Sequence, residues 1–201
     1  MLVDTSNEKQ DGYPTVVRWL HFAMASGALF QLLTSLILLP PDEKGSPFAH
    51  TVMQAHEVGG LFVAVFVAIH LVLSLISKKD QHSSMRVLFD VKYWCEAFSL
   101  VKLLPIVLLG KTNMIESGNS LARIVSMLGV LLMMAMGATG IAIWFGLPEH
   151  GTSISHNVDM LMDIHSMLSN LLWVYIFGHV FMVFAHMRVG EQVIKRISPF
   201  H

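Results

Sequence analysis

The stretch HEVGGLFVAVFVAIH, residues 56–70, is apolar almost throughout and closed at both ends by histidine; HSMLSNLLWVYIFGH, residues 165–179, repeats the interval. In an α-helix, fourteen steps of 100° and 1.5 Å return a side chain to nearly the same face, roughly 21 Å further along the axis. Each helix can therefore present one imidazole at each of two levels. Histidine within hydrocarbon is costly and marks a functional position by default, and haem iron is a centre that takes axial histidine. A single such histidine is as well explained by a hydrogen bond inside a bundle. One interval repeated on two helices points instead to two stacked cofactors.

Composition places these helices in a bilayer. The chain is 54% hydrophobic and 13% charged, with a mean hydropathy of +0.60, which leaves too little polar surface to enclose a soluble globule. Its 201 residues read as one transmembrane domain, 1–201, with no linker rich in Pro, Gly or Ser. The net charge of -1 gives no reason to expect nucleic acid. Cys95 is the only cysteine, which excludes an internal disulfide, a cysteine-ligated iron–sulfur cluster and covalent haem attachment. Any haem is therefore b-type and non-covalent. The first fifteen residues are polar, and the apolar run after them is too long for a signal-peptide core, so it is expected to stay in the mature protein. Gly-rich phosphate loops, zinc-protease motifs and nucleophile elbows do not occur.

Four segments are apolar enough to cross a hydrocarbon core of about 30 Å: residues 16–39, 52–76, 121–145 and 162–186. The fold expected is an all-α, integral membrane four-helix bundle. Pro40-Pro41 should stop the first span. Residues 87–110 carry Asp90, Lys92, Glu96 and Lys102, and Pro105 interrupts their most apolar run. They read as an interfacial amphipathic helix between spans two and three, with Leu88, Val91, Trp94 and Phe98 on its apolar face. A fifth span is the alternative.

The 13 Lys and Arg residues separate the two readings, because cytoplasmic loops collect them. With four spans, Lys44 alone falls on the outer side. Lys9 and Arg18 flank the first span, seven basic residues from Lys78 to Arg123 lie between the second and third, and Arg188, Lys195 and Arg196 follow the fourth. Both termini are then cytoplasmic, in a multi-pass protein of the bacterial inner membrane. His56 and His165 lie toward the outer surface, and His21, His70 and His179 toward the inner one.

Arg18-Trp19-Leu20-His21, His56 with Gly60, Asn119 with Thr139-Gly140, and His165, Asn170, His179 and His186 stand in order along the four spans. Together they resemble the bacterial cytochrome b561 family and the related b-type subunits of nickel hydrogenases and formate dehydrogenases. The resemblance implies two b haems in a four-helix bundle, with quinone exchanging electrons near one of them. It implies that His56 and His165 are axial ligands of the outer haem iron, and His21 and His179 of the inner. His70 departs from the pattern, where arginine is common. Depth competes with the resemblance here. Lys78 lies eight residues beyond His70 and Arg188 nine beyond His179, roughly 12 and 13 Å, whereas Arg18 is only three from His21. His70 is thus either the inner ligand itself or a group that contacts a propionate or lines a quinone pocket. Arg18, on the His21 side of its helix, is a candidate propionate partner; anchoring at the interface explains it equally.

Gly60 and Gly178 suit close approach of a porphyrin or a neighbouring helix, or plain packing. Met133, Met134 and Met136 read as adaptable packing rather than ligands. His186 reads as interfacial or as bordering a quinone, and His50, His82, His150, His156 and His201 as solvated in loops or at the terminus. The function expected is transfer of electrons between a periplasmic redox partner, such as a c-type cytochrome or a hydrogenase-like protein, and the quinone pool. A superoxide:ubiquinone oxidoreductase is the alternative within the family, and a haem-free transporter or sensor lies outside it. Whether the chain is an enzyme in its own right or a subunit is left open, and a homodimer is compatible with the sequence. Six carboxylates of the outer face, Asp42, Glu43, Glu57, Glu149, Asp159 and Asp163, stand against one lysine, which repels an anionic substrate and attracts a basic protein patch.

Overall fold

Ser46 opens a helix whose first residue is Pro47: its hydroxyl accepts from the Ala49 N–H at 3.3 Å, and proline at the first helical position gives up no needed donor. Ser155 begins another, accepting from Val158 N–H at 3.4 Å, with Asp159 in its first turn beside the positive end of the helix dipole. Asp90 caps a third through Lys92 N–H at 2.9 Å. These signals set the boundaries of an all-helical chain. The computed structural model describes residues 13–38, 46–76, 90–108, 119–147, 155–188 and 192–200. Its elements are α1 (Thr15–Ser35), α2 (Pro47–Ile76), α3 (Val91–Leu108), α4 (Asn119–Gly146), α5 (His156–Arg188) and α6 (Val193–Ile197).

Four of them, α1, α2, α4 and α5, are long and apolar enough to cross a membrane. They form one bundle around Ala28 and Leu32 of α1, Val67 of α2, Met133 of α4 and Leu172 of α5. The outward faces are as apolar as the inner ones: Phe62 is 62% exposed and Val174 69%, an arrangement stable only against lipid. Lipid also removes the hydrophobic drive for helix association, so close packing at small residues has to hold the bundle. Gly129 of α4 is such a position. A Cβ there would overlap the phenol of Tyr175 on α5.

The expected spans are all present, with shifted ends. α1 stops at Ser35 rather than Leu39. Thr34 and Ser35 turn their hydroxyls back onto carbonyls of the last turn, Thr34 to Phe30 and Gln31 and Ser35 to Leu32, and Ile37 N–H closes a tight turn onto Thr34 O at 2.9 Å. Pro40 and Pro41 lie outside the described residues. α5 starts six residues earlier than hydropathy places it, because the Ser155 cap extends the helix into polar sequence. His50 and His156, read as loop residues, are exposed positions in the first turns of α2 and α5. His82, His150 and His201 are outside the described residues.

α3 is not among the helices long and apolar enough to span. It packs on the beginning of α4 through Ala97, Tyr93 and Trp94 against Ile124 and Leu121. Of the expected apolar face, Val91 and Phe98 are exposed and point away from the protein, Trp94 packs toward α4, and Leu88 lies outside the described residues. The Arg123 guanidinium sits 5.9 Å from the centre of the Tyr93 ring, which ties the two helices together. At the same end of the bundle the chain terminus folds back on α1. Phe200 meets Trp19 and Phe22 edge to face, each at 5.5 Å, and Tyr13 N–H donates to Arg196 O at 3.3 Å. Burial pushes the Tyr13 phenol above its ordinary range, against the pull of Arg123 and Arg196.

Candidate functional site

Antiparallel packing sorts the histidines into two levels. At one end of the bundle α2 presents His56 and α5 presents His165 to a common cavity of about 520 Å³, a size typical of ligand sites. Gly60, Gly137 and Gly140 form part of its wall, and Met133, Met136 and Trp173 close it toward the bundle centre. The ring of His165 lies directly against the α4 backbone, since a Cβ at Gly140 would come 3.4 Å from its Cε1. Glu57 and Asn170 also face this cavity.

Both imidazoles are held in the same way. Thr34 Oγ1 of α1 lies 2.8 Å from His56 Nδ1, and Thr139 Oγ1 of α4 lies 2.8 Å from His165 Nδ1. Each hydroxyl is also within 2.8–3.0 Å of two carbonyl oxygens of its own helix: Phe30 and Gln31 for Thr34, Ala135 and Met136 for Thr139. In both rings Nδ1 is thereby engaged, and Nε2 is the nitrogen left to bind a ligand.

At the other end His21 of α1 and His179 of α5 face each other, ring centroids 6.4 Å apart and planes at 48°. Two imidazoles bound on opposite sides of one metal at about 2 Å each place their centroids roughly 6 Å apart. The pair therefore has the separation of two axial ligands. Tyr175, one turn before His179, stacks on its ring at 5.6 Å and 21°. That orientation depends on Gly129 leaving room for the phenol. His70 is half-buried at this same end, in the neighbourhood of His21, and its hydrogen-bond contacts are within its own helix: Ser74 Oγ is 3.5 Å from its Nδ1 and donates to its carbonyl at 2.8 Å. Arg18 spends one donor on the Tyr13 carbonyl, Nε to O 2.6 Å, which anchors the segment entering α1 and leaves the other guanidinium N–H groups to other partners. His186 is half-buried near the end of α5.

Between the two levels lies the packed core of Ala28, Leu32, Val67, Met133 and Leu172. Among the described residues no group of three or more His, Cys, Asp or Glu could hold a bare metal ion. The donor set is instead two imidazoles per level, which suits a porphyrin-bound iron, since the macrocycle supplies its other four ligands. One further detail fits such a group. Gln31 lines the cavity, and its Nε2, buried toward Gly59, has no hydrogen-bond partner among the described residues, so the amide has bonding capacity to spare beside a cofactor.

The sequence reading missed Thr34, Gln31 and Tyr175. A hydroxyl in an apolar run is costly unless partnered, so Thr34 carried a usable signal; Tyr175 had none, because its place depends on how α4 and α5 face each other. At Gly178 a Cβ would meet none of the described residues, so of its two readings no neighbouring helix packs there, while approach of a porphyrin is not touched by this. The side chain of Asn119, at the start of α4, lies outside what is described.

The family model for prokaryotic cytochrome b561 matches residues 12–199 of this chain. No curated protein and no solved structure matches it.

Proposed function

The chain belongs to the prokaryotic cytochrome b561 family, membrane proteins that bind b-type haem and transfer electrons, and from that premise we propose that it is a di-haem cytochrome linking a periplasmic redox partner to the quinone pool. The observation that carries this reading is the pair of imidazole levels on either side of an apolar core. Bound haem supplies reversible one-electron chemistry at iron. The residues determine where that chemistry sits. His56 and His165 hold the outer iron through Nε2, and His21 and His179 hold the inner one. His70 contacts a propionate of the inner haem or lines the quinone pocket, and Arg18, on the His21 side of α1, is the candidate propionate partner. Gln31 donates to the edge of the outer haem. Trp173, Met133 and Met136 keep water from crossing between the levels.

Purified protein should contain two non-covalent haems per chain by pyridine haemochrome analysis. A reproducible value of one at full occupancy would remove the two-level reading, and a value of zero would favour a transporter or sensor.

The excess of carboxylates over the single Lys44 on the outer loops supports a protein partner with a basic surface over an anionic substrate such as superoxide. This depends on orientation. Reporter fusions after His201 and within residues 78–111 should report cytoplasm, and fusions near Ser46 and Gly151 the periplasm. Termini on opposite sides would mean that α3 crosses the membrane; His56 and His165 would then lie on opposite sides, and every depth assignment would need revision.

A further inference from the structure

We propose that Thr34 and Thr139 are paired positioning residues that fix the tautomer of both outer ligands and hold down the reduction potential of the outer haem. The inference rests on the reading of His56 and His165 as ligands of one iron. Its basis is a count of protons. A threonine hydroxyl has one proton and two lone pairs. In each residue the hydroxyl oxygen lies 2.8–3.0 Å from the carbonyls three and four positions back, which are acceptors only, so its proton is directed to them. The remaining contact, 2.8 Å to the imidazole, has to be donated by the ring. Nδ1 then carries the proton and Nε2 carries the lone pair. That is the tautomer iron needs.

The same device occurs twice, on helices unrelated in local sequence: α1 serves α2 and α4 serves α5, at the same level of the bundle. Chance pairing of a hydroxyl with a ligand nitrogen does not account for two copies with matching distances. At the other level the described residues include no such partner for His21 or His179, where Tyr175 stacks on the ring instead. The two haems therefore differ in what lies behind their ligands. An imidazole that donates from Nδ1 is a more basic ligand, favours the ferric over the ferrous ion, and so lowers the potential. The hydroxyl makes that bond without adding a charge to the bilayer.

The test uses Thr34→Val and Thr139→Val, which keep the branched shape and remove the hydroxyl, with Thr34→Ser and Thr139→Ser as the conservative pair. Haem content, spectrally resolved redox titration and electron paramagnetic resonance are read on the full-length protein in detergent. Each valine variant should raise the midpoint potential of the outer haem, the double variant should raise it further, and the inner haem should stay where it is. Each serine variant should return the outer potential close to wild type. If a valine variant loses the outer haem while its serine counterpart keeps it, the hydroxyl is likewise required for ligand orientation. An unchanged outer potential in both valine variants, a shift confined to the inner haem, or serine variants as impaired as valine would overturn the proposal. Failure of the underlying reading looks different: His56→Ala and His165→Ala would then fail to remove one common haem from otherwise wild-type protein.

Discussion

Substitution of either His56 or His165 by alanine is expected to remove the same haem, lowering haem content from two per chain to one. The two residues lie on different helices, 109 positions apart in sequence, yet they face one cavity and are held by equivalent threonines. On the proposed ligation, loss of either imidazole removes one of only two protein bonds to the iron. It also leaves the threonine hydroxyl without its donor and opens a void in the cavity wall. The difference spectra of the two variants should superimpose, and the remaining haem should stay low-spin with its wild-type potential. Variants that lose spectrally distinct haems would break the pairing. The bundle itself should persist in both, since neither residue belongs to the core around Leu32 and Val67.

At the other level, His21→Ala and His70→Ala should separate. The facing rings of His21 and His179, 6.4 Å apart, are spaced as axial partners, whereas the hydrogen-bond contact of His70 is with Ser74 on its own helix. Removing the His21 imidazole should cost the inner haem or convert it to a high-spin, ligand-accessible form. Removing the His70 imidazole should leave two low-spin haems and change the inner midpoint potential or the rate of quinone reduction, as loss of a group around a ligated centre does. Electron paramagnetic resonance with parallel haem determination distinguishes the outcomes. A low-spin inner haem in His21→Ala, together with its loss in His70→Ala, would show that α2 and α5 alone ligate both haems. The outer pair would be unaffected by that result.

Depth counted from the charged residues favours His70 over His21 as the partner of His179, but those markers are not equivalent. That count takes Arg18, Lys78 and Arg188 as markers of one plane, but Arg18 is drawn to the Tyr13 carbonyl and Lys78 lies outside the described residues, so the charges do not define a common level. The ends of α1 and α5 show a related effect. Hydropathy located both spans, while hydroxyl groups at Thr34, Ser35 and Ser155 decided where the helices stop and start.

By itself the sequence determined that the chain crosses a membrane four times, that histidines stand at two levels within it, and that any haem is held without covalent attachment. These follow from length, hydropathy and the rise of a helix, which are properties of each segment alone. Which histidines face each other, that Thr34 stands behind His56 and Thr139 behind His165, and that Gly129 makes room for Tyr175 were decided only by the tertiary structure. A helix that is apolar on every side has no preferred rotation readable from its pattern, because lipid and protein interior are almost equally good surroundings for its side chains. Its orientation is set by small residues, hydroxyls and ring contacts between helices, and those exist only once the helices have packed.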